Sequence, residues 1–118
     1  MHKMTINVLG TPYTVETGDI GREELRENDA VCRIEDKAII LRHAREMSDN
    51  LASDEGVKRR YAHVIRHELV HAIARECGVQ YGDDEALVDW VAHIAPIVMQ
   101  LQGEVLKHEV ANGPDYNN

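Results

Sequence analysis

The stretch RHELVHAIARECG, Arg66–Gly78, carries two histidines four residues apart with a glutamate directly after the first. Around it Ala62, Ile65, Leu69, Ala72, Ile73 and Ala74 recur at helical spacing, while Glu68, His71 and Arg75 mark another face. Ser53 is a good N-cap for such a helix, and Gly78 a good residue to end it. On a helix, positions i and i+4 lie on one face about 6 Å apart along the axis, so His67 and His71 can aim ring nitrogens at one ion. Glu68 projects from the neighbouring flank, where it can reach a water bound to that ion.

With seven histidines in 118 residues, chance alone gives roughly 0.04 occurrences of this pattern, and the helical context lowers that further. His63 extends the series by one more turn. Its distance from His71 along a straight helix is about 12 Å, too long for both to hold one ion through bonds near 2 Å. His63 is therefore expected on the surface or behind the ligands.

Downstream, Asp83 is a plausible N-cap for a second helix that runs through EALVDWVAHIA until Pro96 kinks or interrupts it. Catalytic zinc generally takes three protein ligands and leaves a position for water, so a third ligand is needed from another element. This helix offers Asp84, Glu85, Asp89 and His93, and spacing does not choose among them. Acidic residues at 83–85 are also simply favourable at a helix N-terminus. Asp89 lies one turn further in, where it can accept the second N–H of a ligating histidine and fix its tautomer.

Upstream of the motif helix the chain reads as β-structure. Residues 4–9 (MTINVL) and 13–17 (YTVET) are β-prone segments separated by Gly10-Thr11-Pro12, and AVCRI (30–34) and AIILRH (38–43) form an antiparallel pair across Glu35-Asp36-Lys37. REEL, within the polar stretch between them, can make a turn of helix. The chain is expected to form one domain over residues 1–107, with 108–118 as a flexible tail. Its class is α+β: a small antiparallel sheet packed against two or three helices.

A net charge of −8 opposes nucleic acid, whose affinity comes from lysine and arginine, and Lys58-Arg59-Arg60 reads as a solvated face. No window approaches the ~20 apolar residues of a membrane span, and the N-terminus lacks a secretory apolar run. Two cysteines, Cys32 and Cys77, are too few for a disulfide framework and are expected as buried reduced thiols. The expectation is a cytoplasmic protein that binds neither nucleic acid nor membrane.

With His67-Glu68-Leu69-Val70-His71 followed by Glu85-Ala86-Leu87-Val88-Asp89, the chain resembles the gluzincin branch of zinc metallopeptidases, in which an H-E-x-x-H helix precedes an E-x-x-x-D helix. It is most similar to minimal versions, the ImmA/IrrE-like metallopeptidases and short zincin-like proteins of phages and prophages, over residues 30–99. Thirteen residues separate His71 from Glu85, fewer than in the larger gluzincins. The resemblance implies Zn²⁺ held by His67, His71 and Glu85, Glu68 as general base for peptide hydrolysis, and Asp89 as the partner that orients a ligand. It also implies an extended peptide or protein substrate added as a strand beside Ala38–Arg42. Tyr61, Tyr81 and His93 are candidates to stabilise the oxyanion. The alternative is a non-catalytic phage-type accessory protein in which the metal only staples two helices.

Overall fold

A computed structural model describes residues 3–18, 23–47, 51–80 and 83–112. The architecture is α+β: strands β1 (Lys3–Val8), β2 (Thr11–Gly18), β3 (Ala30–Arg33) and β4 (Ala38–Arg42), then helices α1 (Asp54–Cys77) and α2 (Glu85–Asn112). Short 3₁₀ turns lie at Glu23–Leu25 and Ala44–Met47. One face of the sheet packs on α1, and α2 packs on α1.

The antiparallel β3–β4 pair forms as the sequence predicts, and β1 and β2 are also joined as a hairpin. The β1–β2 hairpin turns more tightly than expected: Val8 pairs with Thr11, leaving only Leu9 and Gly10 in the loop, at φ 52° and 95°. Positive φ at both positions is the geometry of the two-residue turn whose twist matches the strands it joins, and glycine meets it without strain. Pro12 consequently lies inside β2, opposite Asn7. The first β2 residue paired with β4 is Thr14, so the missing N–H of Pro12 interrupts no bond to that strand.

The sheet is mixed rather than wholly antiparallel, in the order β1-β2-β4-β3. Each pair joined by a tight turn is antiparallel, but β4 inserts between β2 and β3 and runs parallel to β2. Ile39, Ile40 and Leu41 are buried in succession, so both faces of this central strand are covered, as successive side chains point to opposite sides. Tyr13, Ile39 and Leu41 meet Val64 and Ala72 of α1 in the main core, while Ile40 points to the opposite face and is also fully buried.

Both caps of α1 lie where the sequence puts them. The Ser53 side chain accepts from the Gly56 N–H at 3.0 Å, and Gly78 adopts φ 72° with its N–H directed at the Ala74 and Arg75 carbonyls. Each satisfies helix-end groups that would otherwise be unpaired, the N-cap contributing about 1 kcal/mol. For α2 the cap is Asp84 rather than Asp83: its Oδ1 accepts from the Leu87 N–H at 3.1 Å.

Pro96 does not end α2, which continues to Asn112, beyond the tail boundary expected after Lys107. Proline removes the N–H that would bond the carbonyl four residues back, here Ala92. That carbonyl, on a fully buried residue, accepts instead from Arg66 Nε of α1 at 2.9 Å. A donor from the neighbouring helix thus fills the gap that proline leaves. Cys77, expected buried, is exposed at the last turn of α1, and Cys32 is half-buried; both are free thiols.

Candidate metal centre

His67 and His71 occupy successive turns of α1, and the cap at Asp84 starts α2 so that Glu85 faces them. His67 Nε2 lies 2.9 Å from Glu85 Oε2, and His71 Nε2 lies 2.9 Å from Glu85 Oε1. The two rings are 5.0 Å apart at 66°. One ligand atom from each of the three residues falls within 4.8 Å of the others, close enough to share an ion. Among the described residues this is the one His/Cys/Asp/Glu group so arranged. Two imidazoles and a carboxylate form a donor set that suits zinc.

Asp89, one turn along α2 from Glu85, places Oδ1 3.2 Å from His67 Nδ1. A carboxylate there accepts the Nδ1 proton and leaves the Nε2 lone pair directed at Glu85 and the shared position. The same oxygen lies 2.8 Å from His63 Nε2, and these contacts hold the Asp89 carboxyl below the usual carboxylate range, that of His63 foremost.

Glu68 is 6% exposed, and its Oε2 has no hydrogen-bond partner among the described residues. Burial pushes its pKa up; His67 and His71 oppose the rise, and Glu85 adds to it. A buried carboxylate oxygen without a partner is costly, and beside three convergent donor atoms it is the observation that best fits a bound cation and its water.

These groups line a cleft of about 660 Å³ whose opposite wall is β3, with Ala30, Val31, Cys32 and Asp29 among the lining residues. The strand expected to face a substrate, Ala38–Arg42, is β4, which is paired on both sides and has no edge to offer; among the described residues the sheet's edges are β1 and β3, and β3 lines the cleft. Arg42 N donates to the Asp29 carbonyl at 2.9 Å, and pairing alternates along an antiparallel ladder. The N–H and C=O groups of Ala30 and Cys32 therefore point away from β4. The Cys32 thiol is pushed up to about 12, by burial first and then by the Glu68 charge, so it is held protonated at neutral pH.

Of the oxyanion candidates, Tyr61 packs against the core cluster, His93 is exposed with its ring 6.4 Å from that of His63, and Tyr81 lies outside the described residues. His63, expected on the surface or behind the ligands, lines the cleft and contacts Asp89. One group escaped the sequence reading altogether. Glu76, near the end of α1, accepts from Thr11 Oγ1, Tyr13 OH and Lys37 Nζ, each at 2.7 Å, which fastens the foot of the motif helix to the sheet. Its partners lie 39 to 65 residues away in the chain, and no local pattern announces them.

No helix among the described residues is long and apolar enough to cross a membrane. The chain matches no protein-family model, no curated protein and no solved structure.

Proposed function

We propose that the protein is a zinc-dependent metallopeptidase of minimal gluzincin type, acting on an extended peptide or protein segment. The observation that carries this reading is the convergence of His67, His71 and Glu85 beside the unpartnered, buried oxygen of Glu68 in a cleft walled by an open strand edge. When bound, a divalent cation supplies Lewis-acid polarisation of a carbonyl and lowers the pKa of a water towards about 7.

The protein's own residues do the rest. Ala30 and Cys32 offer outward backbone groups to an extended substrate, which adds to the sheet as a further strand. Glu68, whose raised pKa makes it a better base than an exposed carboxylate, takes a proton from the attacking water and returns it to the leaving amine. Asp89 holds the His67 tautomer.

One observation favours the non-catalytic alternative. Val88 and Ala92 are the only buried side chains that α2 contributes among the described residues, so a metal between the helices would add much to a small interface. Glu68→Gln separates the two. Zinc content and folding are retained under both readings, whereas peptide cleavage falls by several orders of magnitude only if Glu68 is the base. Cleavage that survives Glu68→Gln removes it from that role. Metal analysis of Glu85→Ala tests the third ligand: zinc content equal to wild type excludes Glu85.

A further inference from the structure

We propose that His63 is a positioning residue for this site, holding the Asp89 carboxylate where it can orient His67. The inference rests on the proposed metal centre and extends it by one link.

Asp89 projects from the exposed part of α2, with its side chain 57% exposed, so packing alone does not fix its rotamer. What does fix it is contact with α1. Its Oδ1 lies between His67 Nδ1, at 3.2 Å, and His63 Nε2, at 2.8 Å, and the shorter of the two is to His63. His63 is better anchored than Asp89: its side chain is 25% exposed, it sits on the same stripe of α1 as His67, and its ring packs edge-on to that of His93. A single oxygen receiving both N–H groups is drawn into the plane between two turns of one helix, which presents it to Nδ1 of His67 rather than to solvent. Removing the imidazole of His63 frees the carboxylate to swing into water. His67 would then lose the acceptor that keeps its proton on Nδ1 and its Nε2 lone pair available.

The test is zinc affinity, measured by competition with a chromophoric chelator, together with thermal unfolding of the metal-free protein. His63→Ala is expected to weaken zinc binding about tenfold, the lower end of what loss of a ligand's supporting contact costs. His63→Gln is expected to restore most of it, because its side-chain N–H can occupy the place of Nε2. In an Asp89→Ala background, His63→Ala should cause no further loss, since the link it works through is gone. Equal affinity in wild type and His63→Ala overturns the role, as does a loss that persists in full without Asp89, or one that His63→Gln fails to restore while the metal-free protein unfolds at a lower temperature. A wild-type protein that binds no zinc overturns the metal centre itself, a result distinct from zinc binding that ignores His63.

Discussion

Glu76 is the residue on which the placement of the motif helix most visibly depends. Three donors from β2 and the β3–β4 turn converge on its carboxylate and lower its pKa from the ordinary 4.5 to about 2, the Lys37 hydrogen bond foremost, then those of Tyr13 and Thr11. A carboxyl whose folded pKa is depressed contributes stability that is fully present above the unfolded value and is lost as the pH falls through the folded one. Urea unfolding between pH 4.5 and about 2 should therefore show wild-type stability falling along a component that Glu76→Gln lacks. Curves for the two proteins that stay parallel through this window would refute the assignment. Tyr13→Phe removes one donor at a fully buried position without changing its shape, and should cost about 1.5–3 kcal/mol in the same measurement at neutral pH. At this scale the sequence was legible wherever the chemistry is local. Ser53, Gly78 and the His67–His71 spacing each act within about one helical turn, whereas the Glu76 partners and the His63–Asp89 contact exist only after distant elements meet.

At the scale of elements, α1 and α2 are registered by a defect in one and a donor in the other. Arg66 supplies the hydrogen bond that Pro96 withdraws from the Ala92 carbonyl, and Arg66 directly precedes His67. Arg66→Met should destabilise the protein by about 1.5–3 kcal/mol, as expected for a part-buried bond from a charged group. In a Pro96→Ala background the carbonyl regains its helical partner, and the same change should cost much less. Chemical denaturation of the four proteins reads the cycle, and equal costs in both backgrounds would show the bond to be incidental. The sequence predicted a kink or an interruption at Pro96 because proline is judged against its own helix; the compensating group is Arg66, 26 residues before the Ala92 carbonyl it serves. The strand order was hidden for a related reason. Hairpins are written in short turns, but the insertion of β4 between β2 and β3 is decided by which faces must be covered. That insertion leaves β3 at an open edge, and Ala30→Pro, which removes an outward N–H, should impair peptide cleavage while leaving zinc content unchanged.

Across the whole molecule, burial is unevenly distributed. From Pro96 to Ala111 every residue of α2 is exposed, including Val98, Leu101, Val105 and Leu106. An isolated helix of this length is marginal in water, and Gly103 weakens it further. Amide hydrogen exchange should accordingly be fast over residues 98–111 and slow over 57–77, and truncation after Gln100 should leave zinc affinity unchanged. Protection in the overhang equal to that of α1 would contradict this division. The α+β class and both helices were legible in the sequence; this reach of α2 past its support was not, since periodicity tells where a helix can form and not what stands beside it. The open margin of β3 is only four residues long, about 13 Å of extended chain. Acting as a peptidase, such a short ruler would pass over well-folded proteins and engage those in which a few consecutive residues have come loose.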